Sequence, residues 1–320
     1  MRIRFWGTRG SLPAPLGVAA VRSKLRNALR KASGRSFADD AAIDRFIASE
    51  LTFAEAGTFG GNTSCVEADL DSDEHLIFDL GSGVREFGNR VMSGAYPNKK
   101  KVFNILMSHP HWDHIMGFPF FVPAYIPGHT IRIYGGHSTL DNAFRRQHAE
   151  PSFPVDYSQL GARIEFITLD PAKTHDIAGA KVNLMRQHHT GDSYGYRIEH
   201  GGKAMVYSTD SEHKFEETGD AYPFVDFFRD ADLVIFDAMY SLADAVSIRE
   251  DWGHSSNIIA VELCHHAGAR RLCLFHHDPN SDDRSIGEVL VDTRKFEELA
   301  REGRLPLDVL SAYDGLEITL

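Results

Sequence analysis

The chain has 320 residues, 42% hydrophobic and 25% charged, the composition of a folded globular protein with a sizeable core. Its formal net charge of −11 weighs against non-specific nucleic-acid binding, which Lys and Arg drive by neutralising phosphates. It has no run of about 18 apolar residues, so no membrane span is expected. In chain order, strand patterns fall at 3–6, 76–79, 102–107, 131–134, 164–168, 182–186, 194–199, 204–208, 233–236, 272–275 and 316–319. Helical patterns fall at about 137–148, 255–267 and 284–301, with Ser255 or Ser256 to cap the second and Gly268 to end it. Strands first in pairs and then mixed with helices predict an α/β protein with sheets inside and helices outside. The opening Met1-Arg2-Ile3-Arg4-Phe5-Trp6-Gly7 reads as a strand and not as a signal peptide. Cys65, Cys264 and Cys273 form no Cys-x-x-Cys pair and no even framework, which points to free buried thiols and a cytoplasmic protein.

Residues 12–59 hold two amphipathic helical patterns. Val18, Val21, Leu25, Ala28, Leu29 and Ala32 keep a three-or-four spacing, as do Ile43, Phe46, Ile47, Leu51 and Ala54. The first segment carries Arg22, Lys24, Arg26, Arg30, Lys31 and Arg35 with no acid, and the second carries Asp39, Asp40, Asp44, Glu50 and Glu55 against Arg45 alone. One reading is a helical hairpin over about 18–56 that walls the cleft or makes a homodimer contact. The other is a hairpin whose opposite charges simply pair. Neither stripe can be buried by the hairpin alone, so it must pack on the body or on a second subunit.

The densest chemistry lies at 109–114, His-Pro-His-Trp-Asp-His, directly after the strand pattern 102–107. In extended chain, side chains two apart point the same way, so His109 and His111 can converge on one cation. Asp113 and His114 begin a turn and can face a second. Imidazole and carboxylate suit zinc and related metals, and no structural need explains such a cluster.

With this motif the chain resembles the metallo-β-lactamase superfamily and its His-x-His-x-Asp-His signature. Further matching pieces are Gly-Thr-Arg-Gly-Ser at 7–11, Gly-Gly-Asn-Thr-Ser at 60–64, Asp-Leu-Gly-Ser-Gly at 79–83 and His-His-Thr-Gly at 188–191. Later come Ser-Thr-Asp at 208–210, Gly-His-Ser at 253–255 and Leu-Phe-His-His-Asp-Pro at 274–279. They are most similar to the branch of cyclic phosphodiesterases and tRNA 3′-processing endonucleases. The resemblance implies one four-layer αβ/βα sandwich over 1–320, interrupted by the N-terminal helical insertion, with two divalent metal ions at one edge. Zinc suits the shell best, while manganese or iron is compatible with it.

By the same resemblance His109, His111 and His189 hold one metal, Asp113, His114 and His276 the other, and Asp210 bridges them. On chemistry alone His188 rivals His189, and His277 rivals His276; family register favours His189 and His276. Thr190 stands where the family usually has proline. Two such cations turn a shared water into hydroxide near neutral pH, fit to attack a phosphodiester, a thioester or a lactam. His254 discriminates, because in the phosphodiesterase branch this residue faces the scissile phosphate, although a helix-start capping role is the plainer reading. Asp113 can orient the hydroxide as well as ligate. Residues 190–209 leave no room for the tRNA-binding arm of the endonucleases. With the negative charge, that favours a small or cyclic phosphodiester over nucleic acid. The alternatives are a tRNA 3′-processing endonuclease and an acyl or thioester hydrolase. The cysteine-based structural zinc of the phosphoribosyl cyclic phosphodiesterases is not recognisable here. A flavodiiron-type redox enzyme would carry Glu in place of His111 and add a flavodoxin domain, and an idle sensor would have lost a ligand. Gly60–Ser64 is read as a turn near the metals.

Overall fold

Alternation along the central strands decides how the layers stack. In β10 (Lys203–Ser208) Met205 and Tyr207 are buried toward one core and Val206 toward another; in β11 (Leu233–Asp237) Leu233 and Ile235 part from Val234 and Phe236 in the same way. A strand covered on both faces needs a near-continuous apolar sequence, and these have it. The computed structural model describes residues 1–213, 221–239 and 253–320.

Two seven-stranded sheets result. The first contains β1 (Arg2–Gly7), β2 (Cys65–Asp69), β3 (His75–Phe78), β4 (Val102–Leu106), β5 (Thr130–Gly135), β6 (Arg163–Thr168) and β14 (Glu317–Thr319), in the order β14-β1-β2-β3-β4-β5-β6. The second adds β7 (His175–Ile177), β8 (Ala180–Gln187), β9 (Ser193–His200), β12 (Arg271–Phe275) and β13 (Asp308–Ser311), in the order β13-β12-β11-β10-β9-β8-β7. Phe5, Phe78, Tyr196, Tyr207 and Phe275 fill the space between the sheets. Outside the first sheet, α4 (Val84–Met92) and α6 (Leu140–Gln147) cover Phe103, Ile105 and Ile133; outside the second, α7 (Pro223–Phe228) and α8 (Asn257–Ala267) cover Val206, Phe236 and Leu274. The layers run helix, sheet, sheet, helix. β3 to β6 are parallel to one another, as are β10 to β13, so each block presents its C-terminal strand ends at a common edge. Ligands gather at such edges.

Every strand expected from the pattern is present, with ends moved by a residue or two. β2, β7 and β13 lie outside the strand patterns of the sequence. β2 contains Glu67, a buried carboxylate that accepts from Trp6 Nε1 at 3.1 Å and Tyr96 OH at 2.8 Å, so its sequence does not read as core. β7 and β13 are very short. The helix expected over 137–148 is confined to α6. Ser256, not Ser255, caps α8 by accepting from the Ile259 N–H, and Gly268 ends it in the left-handed region at φ 67°.

The inserted segment forms α1 (Val18–Lys31), α2 (Asp40–Glu50) and the short α3 (Phe53–Ala56). Its packing departs from the expectation. α1 turns Ala20, Lys24 and Ala28 inward, and Lys24 Nζ pairs with Asp283 Oδ2 at 2.7 Å at the start of α9 (Asp283–Ala300). Lys24 also donates to the carbonyls of Ala54 and Gly57. The apolar stripe therefore faces solvent: Val18 is 77% exposed, Val21 42%, Leu25 59% and Leu29 71%. Charge pairing within the segment is confined to Lys31 with Glu55 at 2.7 Å and Arg35 with Glu50 at 3.1 Å, among the described residues.

One buried group sets an acid limit on the fold. His75 lies flat against Phe103, with centroids 4.9 Å apart and planes 5° apart, and edge-on to Phe87 and Tyr96. Burial, aided by Lys99, lowers its pKa from 6.5 to about 3. The folded state therefore refuses a proton that the unfolded chain accepts below about pH 6.5. The stability it contributes is intact above that pH and drains away as pH falls from there toward 3. The expected loss is about 2 kcal/mol by pH 5, taking 1.36 kcal/mol for each pH unit below 6.5. Thermal melts at pH 7.5 and 5 should show a smaller drop for His75→Phe than for the wild type; equal drops would contradict this account.

Candidate metal centre

The six-residue motif begins where β4 leaves the sheet. His109 is fully buried; His111 is extended at the N-cap of α5 (Trp112–Ile115), and Asp113 and His114 sit in that single turn. The remaining groups arrive from other strand ends. His189 follows β8, Asp210 follows β10, Asp237 ends β11 and His276 follows β12. Asp79, Asp210 and His276 all adopt the left-handed region, with φ of 57°, 49° and 58°. For non-glycine residues that costs about 1–2 kcal/mol each, and such strain gathers at functional sites. Here it turns each side chain over the edge of its sheet.

Two donor groups result. Ligand-type atoms of His109, His111 and His189 lie within 4.8 Å of one another, and so do those of Asp113, His114, Asp210 and His276. Asp210 stands between them. Its Oδ1 is 3.2 Å from Nε2 of both His114 and His276, while its Oδ2 is 3.7 Å from His109 Nε2 and 3.8 Å from His189 Nε2. Asp113 Oδ2 is 3.2 Å from His276 Nε2 and 3.3 Å from His114 Nε2, and accepts from the Ser11 N–H at 2.7 Å.

The outer nitrogens of three of these rings, His109, His114 and His189, are tied down. His189 Nδ1 donates to the Gly253 carbonyl at 2.9 Å, and His114 Nδ1 donates to Asp79 Oδ2 at 2.8 Å. Asp79 also accepts from Ser108 Oγ and Tyr207 OH, both at 2.8 Å. Ser108 Oγ in turn lies 3.0 Å from His109 Nδ1. The inner nitrogens face one another and the two carboxylates. Nε2 of His109 and of His114 make no hydrogen bond although buried, and His189 Nε2 sits 3.1 Å from His111 Nδ1. With its proton on Nδ1, His189 presents a lone pair at Nε2, and buried ring nitrogens without a hydrogen-bond partner, as in His109 and His114, are what a bound cation would satisfy, so the residues fit a metal.

The electrostatics differ between the two groups. Burial holds His109, His111 and His189 below the ordinary imidazole range, in the neutral form that ligates. Burial opposes charge on His114, Asp113 and Asp210 alike, but Asp210, Asp113 and Asp79 hold His114 well above the ordinary imidazole range, and His114 and His276 in turn keep both carboxylates ionised; a cation bound there would take the place of the His114 proton.

His254 stands over the two groups. Its ring lies 5.4 Å from that of His189 and is stacked 5.2 Å from that of His276. Its Nδ1 donates to Asp237 Oδ2 at 2.7 Å. Burial works against its charge, but Asp237, with Asp210 and Asp113 behind it, pushes the pKa up to about 9. Gly253 before it has φ of 82°, and a Cβ there would stand 2.3 Å from His189 Nδ1, so only glycine lets both histidines approach.

The structure thus gathers His109, His111, Asp113, His114, His189, Asp210, His254 and His276 at one edge. It leaves the rival histidines out. His188 is exposed, and His277 turns away to donate to the Ala312 carbonyl at 2.9 Å, its pKa lowered by burial to about 4. Sequence reading assigned no role to Asp79 or Asp237. Their signal is a carboxylate directly after an apolar strand, in Leu76-Ile77-Phe78-Asp79 and Val234-Ile235-Phe236-Asp237. Gly60–Ser64 forms a turn whose Gly61 and Asn62 N–H groups donate to Asp314 Oδ2, each at 3.0 Å.

A four-layer sandwich with two clustered His/Asp groups at the strand ends is the architecture of metallo-β-lactamase-fold hydrolases. Residues 76–277 match the family described as Beta-lactamase superfamily domain, and the chain belongs to that superfamily. It is 24% identical over 266 residues to ribonuclease Z of Thermoplasma acidophilum, covering 68% of this chain and 81% of that protein. Among solved structures it is similar to the metallo-β-lactamase fold protein YhfI from Bacillus subtilis, with TM-score 0.63, 18% identity and 99% of each chain covered. It is also similar to the short form of human tRNase Z, with TM-score 0.57, 19% identity, and 100% of this chain and 99% of that one covered.

Proposed function

We propose that the protein is a dinuclear metal-dependent phosphodiesterase. His109, His111 and His189 hold one divalent cation, Asp113, His114 and His276 hold the other, and Asp210 is shared. A nitrogen and oxygen shell without thiolate suits zinc, with manganese or iron compatible. The observation that carries the reading is the split of the Asp210 carboxylate, one oxygen toward each donor group. When bound, such a pair of cations activates water and neutralises charge on a phosphoryl group.

The chain's own residues supply the rest. Asp79, Ser108 and the Gly253 carbonyl hold three imidazoles with their Nε2 atoms inward. Asp113 can accept a proton from the attacking water or orient it. Asp237 fixes His254 through Nδ1, and His254 is the group that would donate to a phosphoryl or leaving oxygen. An alkoxide leaves poorly without such a donor, whereas a thiolate does not need one, so His254 favours a diester over a thioester.

The preferred substrate is a small or cyclic phosphodiester, because β9 and β10 joined by Gly201 and Gly202 take up the chain between His189 and Asp210. The likeness to proteins named ribonuclease Z favours a second reading, cleavage near the 3′ end of RNA, and lends no support to the expectation against nucleic acid. Metal-reconstituted protein should be assayed on cyclic nucleotides, bis(p-nitrophenyl) phosphate, a 3′-extended tRNA precursor, a thioester and a lactam. Turnover of the small diesters well above the thioester and lactam is expected. Faster cleavage of the precursor would select the RNA reading, and turnover of thioester or lactam alone would overturn both.

A further inference from the structure

The exposed stripe of α1 is bordered by cations that make no ion pair among the described residues. Arg22, Arg26 and Arg30 each follow a stripe residue, Val21, Leu25 and Leu29, so at about 100° per residue they line one side of it. α2 has a smaller copy of the same layout with opposite sign. Ile43 and Ile47 are exposed, Asp44 follows Ile43, and Asp40 lies one turn earlier on the same row. None of these three arginines or two aspartates makes an ion pair among the described residues. α1 meets the body through its Ala20–Lys24–Ala28 face, so this row of arginines lies on the side away from that contact.

From this layout we infer that the inserted segment is a homodimer interface, in which α1 of one chain packs antiparallel on α2 of a second copy. The handedness decides the direction. Both helices carry their charged row on the same rotational side of the apolar stripe. When two such helices meet stripe to stripe, parallel packing puts the rows on opposite sides of the contact, and antiparallel packing puts them together. Antiparallel packing therefore sets Arg22, Arg26 and Arg30 beside Asp40 and Asp44 while Leu25 and Leu29 cover Ile43 and Ile47. A two-fold axis makes the contact twice, α1 on α2 and α2 on α1, and closes the assembly. Net charge favours this occupant over an anionic surface of another kind. α1 carries Arg22, Lys24, Arg26, Arg30 and Lys31 without an acid, in a chain of net charge −11, so the acid that complements it is carried by the protein itself.

The test is sedimentation of the metal-loaded full-length protein across a concentration series. A dimer at micromolar concentration is expected. Arg22→Glu/Arg26→Glu/Arg30→Glu should weaken it about a hundredfold, the scale of like charges set against each other. Asp40→Arg/Asp44→Arg should weaken it as much, and a mixture of the two variants should recover association as a heterodimer. Unchanged metal content and circular dichroism show that the variants fold. A monomeric wild type, a dimer indifferent to both reversals, or a mixture that stays monomeric would each overturn the inference. So would a wild type that stays monomeric yet binds phosphatidylglycerol vesicles, which would make α1 a membrane-surface helix.

Discussion

Asp210→Ala should lose at least one of two metal equivalents and reduce diester hydrolysis by about 10⁴-fold or more, a scale set by how much a two-metal site contributes to displacement at phosphorus. The expectation rests on where the carboxylate stands. Its two oxygens lie 3.2 to 3.8 Å from Nε2 of four histidines that come from three different strand ends. It is also the carboxylate that faces both donor groups, so without it two cations held there would repel each other with less negative charge between them. Thr209 Oγ1 donates to Oδ1 at 2.6 Å and aims the group, which makes Asp210→Asn a useful companion: it keeps the shape and removes the charge. Elemental analysis after metal loading and dialysis gives the first readout and bis(p-nitrophenyl) phosphate turnover the second. Two equivalents retained in both variants would show that Asp210 is not a bridge.

Sequence made two of the three members of the first donor group and two of the four of the second legible because they are local. His109, His111, Asp113 and His114 share one strand end and one turn, and alternation followed by helical spacing already says which pairs face together. The distant members were legible only through resemblance, since nothing in the spacing tells His189 from His188 or His276 from His277. The structure separates them by the backbone: His276 enters the left-handed region at the strand end and swings over the edge, while His277 points back under it to the Ala312 carbonyl. Asp79 and Asp237 stayed hidden for a related reason. Each is one carboxylate after an apolar strand, and its meaning depends on parallel neighbours bringing several such ends together.

The insertion shows the opposite limit. Periodicity correctly foretells two amphipathic helices there, but an apolar stripe says only that some surface must cover it. It does not say which. The chain uses the Ala20–Lys24–Ala28 face of α1 because Lys24 finds the Asp283 carboxylate and two carbonyls in the short α3 turn, and a small face lets the helix come close enough to reach them. A polar anchor thus outcompetes the stripe for the body of the protein.

His254→Ala should retain both metal equivalents yet lose about 10²–10⁴ in turnover, the range that a positioned proton donor or acceptor contributes. Nδ1 is committed to Asp237 at 2.7 Å, and the ring stands beside His189 and His276 without entering the two groups that share Asp210. Loss of a metal from this variant would instead make His254 a ligand together with Asp237 and His276, an arrangement their clustering also permits. The leaving group separates the two chemical roles left open. If Nε2 donates a proton to the departing oxygen, the defect should be large for an alkyl diester, whose alkoxide needs the proton, and much smaller for bis(p-nitrophenyl) phosphate, whose phenolate does not. If it binds a non-bridging phosphoryl oxygen, both substrates should suffer alike. Asp237→Asn keeps the hydrogen bond and removes the charge that pushes His254 up to about 9, so it should reproduce part of the alanine defect with the same dependence on leaving group. An unchanged rate on every diester in both variants would reduce His254 to a residue at the approach to α8 and return the acyl-hydrolase reading to the front.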